Sequence, residues 1–321
     1  MAIDQNGLKF LLLSKAKGVD FSNTAMIGRQ RLNLTPDEFK ATLDQCCISY
    51  NEASVRSVMY DNDHYSDVFF KTLGAMNLTS LDYSDYEGAT VIHDMNHPVP
   101  DELKSRFSVV LDGGSLEHVF NFPIAIQNCM KMVAPGGHFM TITPVNNFMG
   151  HGFYQFSPEL FFSLLNQNNG FEIQSVLIFE DRPNAEWYQV VNPSSIGGRV
   201  TLINLRPTYL VVIARRVSQE ELTLKYPSQS DYVPIWEGAS SSPSVRPVRG
   251  KILSTFLKLT PAWAKEFIKS ILSRWKSRHV FNRIFFSPFD WASQCHGLDS
   301  LISFQDLSVV STPICSKSEK K

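Results

Sequence analysis

From about Asn23 to Arg216 the chain alternates short apolar runs with segments of helical pattern. This alternation constrains the fold most. Parallel strands need long crossover connections, and repeated strand–helix units cover both faces of one sheet. The strand-like runs are NTAMIG, LTSLDYS, ATVIHDM, SVVLD, HFMTITP, FEIQSVLIFE and TYLVVIARR. Between them, LTPDEFKATLDQ opens a helix with Thr35 as N-cap, Pro36 at the first helical position and Glu38 closing a capping box. DVFFKTLGAM continues the helical pattern. FPIAIQNCMKMV is stopped by Pro135-Gly136-Gly137, and SPELFFSLLNQN starts at Ser157. Irregular sequence joins the last two strand runs, which predicts an antiparallel, hairpin-like edge on an otherwise parallel sheet.

The expected organisation has three parts. Residues 1–216 form an α/β domain that begins with a short amphipathic helix around KFLLL. Residues 217–250 are a Ser/Pro-rich linker or extended arm. Residues 251–321 form a basic helical extension with a disordered tail, SKSEKK. Its polar face carries Lys251, Lys258, Lys265, Lys269, Arg274, Lys276, Arg278 and Arg283 against Glu266. Two readings of 251–286 stand. It lies against a membrane or a lipid-linked anionic acceptor, or its apolar face packs on the sheet domain.

The net charge is -1, from 30 basic and 31 acidic side chains, so no global field draws the chain to nucleic acid. The 5 cysteines form no CxxC pair, which argues against a zinc or redox motif and predicts no metal site. Unpatterned thiols fit a reducing compartment, and no apolar run approaches the ~20 residues of a membrane span. The expectation is a cytoplasmic protein without a signal segment.

In open α/β sheets the ligand crevice lies at the carboxyl ends of the strands, so the polar residues there bear the functional reading. The first run ends in Gly28-Arg29-Gln30, the second at Asp82, the third at Asp94. The fourth reaches Asp112-Gly113-Gly114-Ser115, followed by Glu117 and His118. The fifth leads through Asn146 and Asn147 to His151 and Tyr154.

On these residues the segment from Asn23 to Arg216 resembles the class I S-adenosylmethionine-dependent methyltransferases. The stretch FSVVLDGGSLEHVFNFPIAIQNCMKMVAPGGHFMTITP is the most family-like, with its LEHV segment and PGG turn, and HGFYQFSPELFFSLLNQNNGFEI is similar to a later family passage. The resemblance implies a Rossmann-like, seven-strand α/β sheet and S-adenosylmethionine as cofactor. It implies that Asp82 holds the ribose hydroxyls, a task suited to two carboxylate oxygens. Asp94 would approach adenine, or form an Asx turn before Pro98. Gly28, Asp112, Gly113 and Ser115 would line the methionine end, where glycines permit close backbone approach. Arg29 would meet the cofactor's carboxylate, or be a surface arginine. Glu117 and His118 would orient the loop. His151 is the candidate base and Tyr154 its companion in the acceptor pocket.

The sequence departs from the family where a glycine-rich first motif belongs, since MIGRQRLNL keeps Gly28 alone. Gly28 to Asp82 is also far longer than the roughly 20 residues of a compact nucleotide-binding unit, which predicts an extra helix within DQCCISYNEASVRSVMYDNDHYSD. The leading expectation is methyl transfer to a small-molecule or saccharide-like acceptor. The runner-up is a binding or assembly module that keeps the fold without turnover, peripheral to a membrane through its basic helices. A dehydrogenase is disfavoured, because a pyrophosphate wants a glycine-rich turn at a helix N-terminus.

Overall fold

The structure is a computed structural model, and it describes residues 2–61, 63–232, 281–295, 297–302 and 304. In chain order the strands are β1 Ala2–Ile3, β2 Asn23–Ile27, β3 Arg31–Leu32, β4 Asn77–Asp82, β5 Val91–Ile92, β6 Phe107–Asp112, β7 Val133–Asn146, β8 Phe171–Glu180, β9 Trp187–Val190, β10 Thr208–Arg216 and β11 Phe286–Phe289. The helices are α1 Gln5–Ala16, α2 Pro36–Gln45, α3 Glu52–Tyr60, α4 Asp67–Thr72, α5 Phe122–Met132, α6 Pro158–Leu164, α7 Pro193–Ile196 and α8 Trp291–Gln294.

One 9-stranded sheet dominates, in the order β11-β9-β8-β10-β7-β6-β2-β4-β5. Strands β7, β6, β2, β4 and β5 are mutually parallel. Strand β10 runs antiparallel to both β7 and β8. The expected antiparallel pair therefore exists but is interior, because β9 and β11 extend the sheet beyond β8. Strand β9 comes from the irregular stretch between the last two predicted strands. Strand β11 comes from the region predicted to be helical. Pro288 lacks an N–H and sits on this outermost strand, where a missing ladder donor is tolerated.

Alternate side chains of each strand feed two cores. Met26, Val109, Leu111, Val211 and Ile213 face α1, α2, α3 and α4. Ala25, Ile27, Val110, Leu210 and Val212 face α5 and α6. Burial on both faces explains why the strands read as continuous apolar runs. The capping box of α2 forms as the sequence predicts: the Thr35 amide donates to Glu38 at 2.8 Å, and the Glu38 amide to the Thr35 hydroxyl at 3.2 Å. The long span between Gly28 and Asp82 is taken up by β3, α2, α3 and α4, and α3 lies in the stretch expected to hold an extra helix.

Helix α1 is not amphipathic as predicted. It is buried nearly all round, Lys9 included at 2% exposure. The C-terminal segment supplies its second cover, with the Lys9 ammonium 4.9 Å from the Trp291 ring centroid and α8 packed alongside. The described residues from 281 onward thus return to the α/β domain, and the Ser49 amide donates to Asp299 at 2.6 Å. Residues 218–232 lie along the same domain, where the Lys225 and Ser230 amides donate to Asn169 and Glu159, each at 2.8 Å. Most of the basic region proposed for membrane contact, residues 251–280, lies outside the described residues, as does the tail from 305. No helix among the described residues is long and apolar enough to cross a membrane.

Candidate functional site

Strand β2 pairs with β4 on one side and β6 on the other, so the strand order reverses between β2 and β6. In open α/β sheets such a switch point is where the ligand crevice lies. Gly28 turns the chain there with φ +72, a left-handed conformation that favours glycine. A Cβ on Gly28 would stand 3.0 Å from the Ser115 hydroxyl and 4.0 Å from Asp82 Oδ2. Gly28, Asp82 and Ser115, which end or follow three separate strands, therefore converge. The Ser115 hydroxyl donates to the Ile27 carbonyl at 2.8 Å and ties the two loops together.

Asp112 was expected to touch the cofactor, but its carboxylate is fully buried and taken up within the protein. Oδ1 accepts from the amides of Gly114, Ser115 and Leu116 at 3.2, 2.8 and 3.2 Å, and Oδ2 from the Thr141 hydroxyl at 2.7 Å. Burial raises its pKa against the pull of these four bonds. Asp112 is a positioning residue that shapes the elbow after β6.

Gly113 is also not open to a ligand. A Cβ there would lie 2.5 Å from Gln30 Oε1, because the Gln30 amide is laid across this glycine. Gln30 is 1% exposed. Its Nε2 donates to the carbonyls of Ile27 and Gly28 at 3.3 and 3.2 Å, while Oε1 is buried without a partner among the described residues. The Arg29 guanidinium is taken up by neighbouring residues. It pairs with Asp67 at 3.1 Å, donates to the Glu87 carbonyl at 3.1 Å and stacks on Tyr65 at 3.9 Å. These bonds fill the role offered to the cofactor's carboxylate.

Asp82 ends β4 with Oδ1 accepting from the Ser84 amide at 3.2 Å, and Oδ2 accepts from no described residue. Asp94 adopts the Asx-turn alternative. Its Oδ1 accepts from the backbone and side-chain nitrogens of Asn96 at 2.9 and 2.7 Å, and Oδ2 lies 3.2 Å from His97 Nδ1. The Asn96 bonds, with the nearby His97, hold its pKa below the usual carboxylate range.

Beyond the elbow, Glu117 is fully buried beneath the loop that carries His151. Its carbonyl accepts from the amides of Phe153 and Tyr154 at 2.7 and 3.3 Å. Glu117 Oε1 lies 3.4 Å from His151 Nε2, and Oε2 has no partner among the described residues. Burial, with the charge of Asp112 behind it, pushes the Glu117 pKa up to about 8. The rings of His118 and His151 meet edge to face at 4.8 Å. Partial burial and the His151 imidazole lower the His118 pKa. Tyr154 turns its hydroxyl to the Phe120 carbonyl at 2.7 Å and packs its ring on Phe122 and Phe156, so it braces the loop. Phe120, Met149 and Phe153 present apolar surface nearby, at 75%, 97% and 66% exposure.

Two residues of the site carry no role in the sequence reading, Gln30 and Asn204. Gln30 lies two residues after Gly28 and was legible only as part of a degenerate motif. Asn204 sits in an irregular loop, yet it is buried and accepts from Asn146 and Asn147 at 2.7 and 2.8 Å. It thereby fixes the loop after β7.

No protein-family profile and no curated protein sequence matches the chain. Among solved structures, an S-adenosylmethionine-dependent methyltransferase from Thermotoga maritima aligns at 13% identity over 67% of this chain and 91% of its own, with a TM-score of 0.36. A 1,6-didemethyltoxoflavin-N1-methyltransferase from Burkholderia thailandensis, solved with S-adenosylhomocysteine, aligns at 12% identity over 65% of this chain and 80% of its own, with a TM-score of 0.34. The [4+2]-cyclase SpnF aligns at 15% identity over 53% and 59%, with a TM-score of 0.30. Likeness at this level carries nothing about reaction or substrate. Strands β7, β6, β2, β4 and β5 run parallel, with antiparallel β10 inserted between β7 and β8, and together they make a Rossmann-like mixed sheet.

Proposed function

We propose that the protein transfers a methyl group from S-adenosylmethionine to a small-molecule acceptor. The observation that carries this reading is the convergence of Gly28, Asp82 and Ser115 at the switch point between β2 and β6. Bound there, the cofactor would supply a methyl group activated on a sulfonium. The donor set fits it in two respects. Asp82 offers a carboxylate oxygen with no partner among the described residues to a ribose hydroxyl. Gln30 Oε1 is an orphaned buried acceptor beside Gly28, and an ammonium group such as the cofactor's would satisfy it once the amide turns off Gly113. Asp94 stands apart from this set, since an exposed ligand would have to compete with Asn96 and His97 for its oxygens.

The acceptor's share of the site would be the loop from Phe148 to Tyr154. Exposed Phe120, Met149 and Phe153 favour an apolar or aromatic acceptor over a saccharide, whose hydroxyls would want polar partners. His151 is the half-exposed imidazole that can accept the acceptor's proton, while Tyr154 and Glu117 hold its loop. Positioning of acceptor and methyl group would supply most of the rate.

Calorimetric titration with S-adenosylmethionine and S-adenosylhomocysteine tests the reading. Micromolar binding that weakens at least tenfold in Asp82→Ala is expected. A folded protein that binds neither ligand at millimolar concentration would instead be the binding or assembly module.

A further inference from the structure

We propose that Glu117, His118 and His151 form a binding site for a divalent transition-metal cation. One donor atom from each residue lies within 4.8 Å of the other two. Tetrahedral zinc, with Zn–N near 2.1 Å, needs neighbouring donors about 3.4 Å apart, and His151 Nε2 and Glu117 Oε1 are already 3.4 Å apart. Only His118 must swing inward. Its side chain is exposed, and its ring makes no hydrogen bond to a described residue.

The second observation is Glu117 itself. Its side chain is 0% exposed, and Oε2 is buried with no hydrogen-bond partner among the described residues. A buried polar atom left this way is destabilising, and a cation beside it removes that cost. The scaffold is rigid where it must be. The Glu117 carbonyl accepts the Phe153 amide at 2.7 Å, and Gly152 is packed so closely that a Cβ would stand 2.8 Å from the same oxygen. His151 is thereby kept over Glu117. Buried Asp112 adds negative potential behind the site.

Two imidazoles and one carboxylate suit zinc, iron or nickel better than magnesium, which prefers oxygen donors and keeps its waters. Three protein donors leave room for water or a ligand oxygen. The sequence masked this site because its donors lie in two segments with no spacing typical of zinc motifs. Occupancy would take the His151 lone pair that the base role uses, so the two roles exclude each other. The site does not depend on cofactor binding, and the two titrations fail independently.

The test is calorimetric titration of the chelator-stripped full chain with zinc chloride, beside His118→Ala, His151→Ala and a magnesium control. Both histidines are at least partly exposed, so the variants should fold, which a melting curve verifies. One zinc per chain with micromolar or tighter affinity is expected, weakened at least tenfold in each variant, with no binding of magnesium in that range. Zinc bound equally by both variants would assign it to thiols such as exposed Cys47 and overturn the proposal. So would a folded wild-type chain that takes up no zinc, or one that binds magnesium as tightly.

Discussion

Gly113 owes its identity to Gln30, whose amide lies where a Cβ would stand. Gly113→Ala should therefore cost about 1–3 kcal/mol through overpacking. Most of that cost should vanish in a Gly113→Ala, Gln30→Ala double variant, because the clash and the orphaned Oε1 leave together. A denaturant-unfolding cycle on the four proteins reads the coupling, and additive costs would show that the clash is not with Gln30. At this scale strand ends pointed to Gly28, Asp82 and Ser115, and these residues lie together at the switch point. The sequence reading mistook Asp112, because a strand-end carboxylate looks the same whether it faces a ligand or its own elbow. Four donors from Gly114, Ser115, Leu116 and Thr141 settle the matter, and sequence cannot display them.

Elements were legible where local chemistry decided them. The α2 start is an example, since Thr35 and Glu38 satisfy each other's backbone without help from the rest of the chain. Thr35→Ala should lower stability by about 1 kcal/mol, read as a shift in the denaturant midpoint at unchanged slope. Elements decided by tertiary contact were not legible. Helix α1 carries Lys9 and so looked amphipathic, but the ring of Trp291, nearly 300 residues away in the chain, covers that side. Strand β11 lies in a short apolar run whose periodicity fits helix or strand, and only the open edge of β9 makes it a strand.

For the whole molecule, the pH dependence of stability should carry the mark of His138. This residue sits within β7, 5% exposed, and neither ring nitrogen has a hydrogen-bond partner among the described residues. Burial, aided by Arg215, lowers its pKa to about 4 from an ordinary 6.5. The unfolded chain takes up this proton below pH 6.5 and the folded chain does not. The stabilisation of the neutral ring is therefore complete above pH 6.5 and is lost as pH falls towards 4. The loss approaches about 3 kcal/mol, at roughly 1.4 kcal/mol per unit. Unfolding of His138→Leu beside wild type across that range should show the variant gaining relative stability as the solution becomes acidic. A constant difference would mean that His138 takes up its proton in the folded chain as readily as in the unfolded one.

The central claim is that the crevice between β2 and β6 is a cofactor site. A crystal structure of the protein grown with S-adenosylhomocysteine tests it most directly. The account predicts the ribose hydroxyls on Asp82 Oδ2, the amino-acid end beside Gly28, and the Gln30 amide turned away from Gly113 to meet it. Ligand bound elsewhere, or a crevice without ligand and with Gln30 still across Gly113, would contradict it.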